Sequence, residues 1–143
     1  MSTAPRIVFD TSTLVAVCIY PDREPAHIFR KALLRFEAVA SPETLEEISI
    51  VLARPKFNAW RSAEQRQEWV KQYTMSVNEV ASSVTITDCR DDKDNKFLEL
   101  AVSSTASVII SSDDDLLDLH PYNGIQIITL RELSDRLLNR RLE

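Results

Sequence analysis

Arg6-Ile7-Val8-Phe9-Asp10-Thr11-Ser12-Thr13-Leu14 reads as a buried strand that stops on an acid and turns at once into an apolar helix. A strand feeding directly into a helix is the opening unit of an α/β fold. The rest of the chain repeats that alternation. The first helix carries Leu14, Val15 and Val17 and ends near Pro21; a second runs from about 25 to 36, with Ile28, Ala32, Leu33 and Phe36 on one face. A brief strand covers 37–40. Ser41-Pro42 is an N-cap followed by proline at the first helical position, and the helix it opens stops before Pro55. Ser62-Ala63-Glu64-Gln65 is a capping box for a longer helix through Trp69, Tyr73 and Val77. A strand is expected over 84–86, a helix over about 94–104, a strand over 108–110, a short helix at Leu116-Leu117 and a last strand over 125–128. Thr129-Leu130-Arg131-Glu132 is a further capping box, opening a C-terminal helix. The expectation is one domain, residues 1–143, with a central parallel sheet flanked by helices on both faces.

Composition narrows the chemistry. At 44% hydrophobic and 27% charged residues the chain is an ordinary globular protein. No apolar run reaches the ~20 residues of a membrane span, and no cleavable leader is visible, so the cytoplasm is the expected compartment. Cys18 and Cys89 are far apart and fit two reduced thiols; His27 and His120 are too scattered for zinc. The chain has one glycine, Gly124. Loops that cradle phosphates on backbone N–H groups need several, so Walker-type loops, dinucleotide fingerprints and the nucleophile elbow are excluded. Chemistry must come from side chains, and carboxylates are in surplus. The net charge of −5 disfavours a passive nucleic-acid coat. It is compatible with a site binding two Mg²⁺, which would bring the balance to roughly −1.

The acids fall where such a site belongs. Ligands of open parallel sheets bind beyond the carboxyl ends of the strands. Two expected strands end there in acids, one in Asp10 and the other in Ser111-Ser112-Asp113-Asp114-Asp115. A third acidic group, Asp91-Asp92-Lys93-Asp94, precedes a helix whose buried stripe is Phe97, Leu98, Ala101 and Val102. At about 100° per residue Asp94 projects within roughly 10° of that stripe's centre, and an acid aligned with a buried face must be paired, protonated or metal-bound. On the helix from Pro42, Glu43 and Glu46 lie about 150° from the apolar centre, whereas Glu47 sits at its edge beside Val51 and can reach inward. Helix capping is the competing explanation for Asp91–Asp94 and Asp113–Asp115, but it leaves Asp10 unexplained. Converging carboxylates repel unless a cation neutralises them, and oxygen donors with little histidine favour Mg²⁺ or Mn²⁺.

These stretches resemble the motifs of PIN-domain ribonucleases. Val8-Phe9-Asp10-Thr11-Ser12-Thr13-Leu14 is similar to the family's opening motif. Ser41-Pro42-Glu43-Thr44-Leu45-Glu46-Glu47-Ile48, continuing into Leu52-Ala53-Arg54-Pro55-Lys56-Phe57, resembles the second motif of a toxin-like subfamily. Arg90 to Ala101 resembles the third and Ile110 to Leu119 the fourth, in the family's order across nearly the whole chain. The resemblance implies a metal site of Asp10, Glu47, Asp94 and Asp113, with Asp115 nearby, Asp91 as an accessory acid, and Ser12, Asn95 and Ser111 as polar supports. It implies a ribonuclease whose hydrolysis leaves 5′-phosphate and 3′-hydroxyl ends, acting as the toxin of a toxin–antitoxin pair, homodimeric and inhibited by a small antitoxin protein. The chain departs from the pattern at Ser12 (Asn is commoner), Asp92 (Pro), Ser112 (Gly) and Asp114 (a basic residue). Ser12 is expected to orient Asp10 less firmly, and Asp114 adds negative charge where a phosphate approaches.

Backbone contacts to RNA are expected from Arg54 and Lys56, with Arg61 interleaved among Phe57 and Trp60, and from Lys93 and Lys96. Arg131, Arg136, Arg140 and Arg141 read as the solvated face of the last helix, with Leu130, Leu133 and Leu137 towards the core. Two other classes fit the same outline. A phosphoacceptor receiver domain also places Asp at strand ends, but wants a lysine after a late strand where this chain has Thr129. A catalytically silent binding module would keep the fold and act through protein contacts.

Overall fold

The computed structural model describes residues 4–139. In chain order the elements are β1 (Arg6–Phe9), α1 (Thr11–Ile19), α2 (Glu24–Ala32), β2 (Glu37–Ala40), α3 (Pro42–Leu52), α4 (Ala63–Ser76), β3 (Asn78–Glu79), α5 (Asn95–Ser104), β4 (Val108–Ile110), α6 (Asp114–Leu117), β5 (Gln126–Ile128) and α7 (Leu130–Asn139). Short 3-10 turns at Pro55–Ala59 and Asp92–Asp94 introduce α4 and α5.

The five strands form one parallel sheet in the order β3-β2-β1-β4-β5. The chain winds outward from β1 through β2 to β3, then returns to lay β4 on the other side of β1. That reversal opens a crevice beyond the carboxyl ends of β1 and β4, the usual ligand position in such sheets. The order differs from the flavodoxin-like 2-1-3-4-5, which weakens the receiver alternative.

Period-two alternation divides the buried side chains between two cores, one per face. Ile7, Phe9, Val108, Ile110 and Ile128 point to one side, where α1, α2, α3, α4 and α7 cover them. Val8, Val39, Ile109 and Ile127 point to the other, against Phe97, Leu98, Leu100 and Ala101 of α5 and Leu116 of α6. Each such side chain removed from water contributes roughly 2 kcal/mol. On the first face an aromatic group locks α2 and α4 to β1. The Phe9 and Phe29 rings meet edge-on at 4.9 Å, and Trp69 stacks on Tyr73 at 5.4 Å.

The capping signals are realised. Ser41 accepts from the Thr44 amide, Ser62 from the Gln65 amide and Thr129 from the Glu132 amide, and each cap's own backbone N–H donates in return to the side-chain oxygen of that third residue. The strand expected over 84–86 is not formed; the edge strand is instead Asn78–Glu79, paired with Val39 and Ala40. The reason is visible in α5, whose side chains take the amides a ladder would need. The Ile86 N–H donates to Glu99 Oε2 at 2.9 Å and the Ser83 N–H to Ser103 Oγ at 2.8 Å. The second helix ends at Ala32, four residues earlier than its apolar pattern suggests, and turns through Leu33 to Phe36. On α7 Leu133 is buried and Arg131 pairs with Glu24 at 2.7 Å; Arg140 and Arg141 lie outside the described residues. Among the described residues no helix is long and apolar enough to cross a membrane, and Cys18 and Cys89 are buried and not joined to each other.

Candidate metal centre

An open cleft of about 850 Å³ lies over the carboxyl ends of β1 and β4. Asp10, Glu47, Asp91, Asp94 and Asp113 line it, so the structure brings together acids from four separate stretches of chain. Their situations differ.

Asp10 is the most buried, at 3% exposure. Its N–H continues the sheet ladder to the Ile110 carbonyl at 2.9 Å. Its carboxylate caps α1 by accepting from Thr13 N at 2.9 Å, and accepts from Ser111 Oγ at 2.6 Å and from Ser12 Oγ at 3.1 Å. Ser111 also accepts from the Asp113 amide at 2.9 Å, so one hydroxyl ties the acid of β1 to the acid after β4. Ser12 and Ser112, two of the departures from the family pattern, touch each other at 2.8 Å between hydroxyl oxygens. Ser12 therefore still orients Asp10, with Ser112 as its neighbour.

Asp91, Asp94 and Asp113 each offer one carboxylate oxygen to a common point, the three atoms lying within 4.8 Å of one another. Capping accounts for part of this cluster. Asp91 accepts from Lys93 N at 3.1 Å and Asp113 from Asp115 N at 2.9 Å, as acids at short helix starts do. Asp94 makes no cap bond, although it stands at the N-cap position of α5. Its Oδ2 is buried without a hydrogen-bond partner. Burial, then a hydrogen bond that it can share with the facing Asp113 when one of the two is protonated, then the charges of Asp113, Asp91 and Asp10, push its pKa up to about 7. A buried oxygen with no donor, beside two further carboxylates, is a poor arrangement for the protein alone and a good one around a hard cation. The all-oxygen donor set fits Mg²⁺ or Mn²⁺ rather than zinc.

The remaining expected residues divide. Asn95 is buried, its Oδ1 accepting from Cys89 N at 2.9 Å, and it braces the loop that carries Asp91 and Asp94. Glu47 lines the cleft but is engaged by Thr11 Oγ1 and by Lys96 Nζ. Arg54, Lys56 and Lys93 also line the cleft, with Phe57 beneath Lys56. Asp115 does not line it; it faces outward to Arg90 at 2.9 Å. Arg61 is likewise structural, donating to the Cys18 carbonyl at 2.6 Å. Sequence reasoning passed over Thr11, Arg90 and Arg66. Arg66 left a signal, since it shares a helical stripe with Trp69 and Tyr73 and so had to be buried.

The comparisons with known proteins agree with this geometry. A family model described as PIN domain matches residues 6–115. An uncharacterized protein of Methanocaldococcus jannaschii is 30% identical over 123 residues, covering 82% of this chain and 77% of its own. Among solved structures, PAE2754 from Pyrobaculum aerophilum superposes with a TM-score of 0.61 at 15% identity, over 94% of this chain and 90% of that one. VapBC2 from Rickettsia felis, solved bound to a DNA fragment from its promoter, superposes with a TM-score of 0.58 at 11% identity, over 85% and 96%. At those identities the two structures speak for the fold alone. With the family model spanning every acid that lines the cleft, the chain belongs to the PIN domain family.

Proposed function

We propose that this protein is a divalent-cation-dependent endoribonuclease that hydrolyses phosphodiester bonds to 5′-phosphate and 3′-hydroxyl ends. The observation that carries the reading is the partnerless buried oxygen of Asp94, set beside Asp91 and Asp113 at the crevice of the sheet. Membership of a family whose members are generally nucleases supports it.

Asp91, Asp94 and Asp113 would hold the ion, with Asp10 beside them. When bound, Mg²⁺ or Mn²⁺ supplies Lewis-acid charge to the phosphodiester and lowers the pKa of the attacking water. The chain supplies the positioning. Ser111 and Ser12 fix the Asp10 carboxylate, and Asn95 holds the loop that places Asp91 and Asp94. Arg54, Lys56 and Lys93 set positive charge along the cleft for the substrate backbone, and Phe57 offers a ring on which a base can stack. This chemistry does not use the 2′-hydroxyl, so the preference for RNA rests on the family resemblance. So does the biological role, which we propose as the toxin of a toxin–antitoxin pair, homodimeric and held by an antitoxin protein.

The test is incubation with structured and single-stranded RNAs and matched DNAs, in Mg²⁺, Mn²⁺ or chelator, beside an Asp113→Asn variant checked for folding by circular dichroism. Cleavage that needs the ion and is lost in the variant supports the reading. A folded wild-type protein that cleaves nothing under any of these conditions leaves a silent binding module as the better description.

A further inference from the structure

We propose that the centre is built for one divalent cation, and that the Lys96 ammonium, clamped on Glu47, takes the place a second would occupy. This rests on the metal-dependent reading above.

A two-ion phosphodiester site needs oxygen donors around each of two points about 3.5–4 Å apart. The described residues provide one such point, shared by Asp91, Asp94 and Asp113. A second would have to draw on the other acids of the cleft. Glu43 and Glu46 also line the cleft from α3, but both are exposed to solvent and neither is held against a second shared point. Asp10 has its acceptor positions taken, Oδ1 by Thr13 N and Oδ2 by Ser111 Oγ, with Ser12 Oγ shared between them. A carboxylate has about four lone-pair sites, so little capacity is left.

That leaves Glu47, and both its oxygens are engaged. Oε1 accepts from Thr11 Oγ1 and Oε2 from Lys96 Nζ at 2.5 Å. The pair is half-buried, each side chain 23% exposed, and it joins α1, α3 and α5 at the cleft wall. An ammonium is strongly hydrated, and withdrawing it this far from water requires a carboxylate partner. An ion seeking Glu47 would have to expel Lys96 and leave its charge unpaired. The fixed cation is therefore the side chain itself, with N–H donors to spare for a phosphate oxygen. This reassigns Glu47 from metal ligand to partner of Lys96.

Titration with Mn²⁺, read by calorimetry and by the electron paramagnetic resonance of free Mn²⁺, counts the ions without reference to activity. The wild type should bind one per chain. Glu47→Gln should still bind one, with affinity within about threefold. Lys96→Gln should free Glu47 and admit a second, weaker ion, whereas Lys96→Arg, keeping the charge, should restore a count of one. Two ions in the wild type, an affinity loss of about tenfold or more in Glu47→Gln, or a single ion in folded Lys96→Gln would overturn the proposal while leaving the nuclease reading intact. Absence of any Mn²⁺ binding would remove that reading as well. If Lys96→Gln fails to fold, the wild-type count and Glu47→Gln still decide.

Discussion

Arg66 and Asp94 are two ionisable side chains partly or wholly withdrawn from water, and they are treated in opposite ways. Arg66 on α4 is only 1% exposed, yet its guanidinium donates to three carbonyls: Leu52 at 2.6 Å, Arg54 at 3.2 Å, and Arg61. It gathers the loose carbonyls where α3 ends and the 3-10 turn begins, and Phe57 lies against it. Every donor direction that matters has an acceptor, so the charge serves the fold. Asp94 has the reverse arrangement. Its Oδ2 has no donor, its neighbours are like-charged, and its carboxyl is held towards the protonated state. A buried charge whose partners lie within the chain is structural. One set among like charges, with an oxygen that no donor reaches, is a candidate for a bound cation.

The contrast can be broken most sharply by removing each charge. Asp94→Asn should lower cleavage by about a thousandfold through loss of the ion's anchor while the fold persists; single-turnover RNA cleavage beside circular dichroism checks this. Arg66→Met should do the opposite. It leaves the Leu52 and Arg61 carbonyls without a donor, the Arg54 carbonyl keeping the Phe57 N–H, and should cost about 3 kcal/mol in urea unfolding, with turnover per folded molecule unchanged. If Arg66→Met lost activity in its folded fraction, or Asp94→Asn unfolded the protein, the division between structural and functional charge would fail.

A third measurement sharpens it through pH. Asp94 titrates at about 7 in the folded chain against an ordinary value near 3.8. Between those values the folded state holds the proton more tightly than the unfolded one. Stability of the metal-free protein should therefore fall as pH rises from about 4 to 7, then level off. Partial solvent exposure reduces the effect to on the order of 1 kcal/mol. Thermal melts in chelator should show the fall, and Asp94→Asn should flatten it. Saturating Mn²⁺ should reverse it, since the ion then competes with the proton. The smallest effect belongs to Ser12 and Ser112. Each changed to Ala should slow cleavage only a few-fold, and the double change should cost less than the product of the singles, because the two hydroxyls share one contact.

What the sequence revealed follows the range of the interactions. Caps at Ser41, Ser62 and Thr129 close bonds between residues three apart, so they are legible locally, as are β1, β4 and β5 from their apolar runs. The edge strand was misplaced because the amides of 83 and 86 are satisfied by Ser103 and Glu99, a contact no local pattern records. The acids at the ends of β1 and β4 could be placed from the chain alone, since sheet topology puts strand ends at one rim. Which of them share a point could not. Asp115 is two residues from Asp113, the cluster's α6 cap, yet Arg90 holds it outside. Glu47 and Lys96 are 49 residues apart, and nothing short of the packing of α3 on α5 could pair them.

The ladder that runs past the last strand residues has a further consequence. Asp10 N donates to the Ile110 carbonyl and Ser111 N to the Ile128 carbonyl, so these two cleft residues are themselves rungs of the sheet rather than tips of a loop. Their amides should exchange hydrogen for deuterium as slowly as those of Val8 and Ile109. A substitution deep in either core, far from any substrate, should then disturb the catalytic geometry and the melting temperature together.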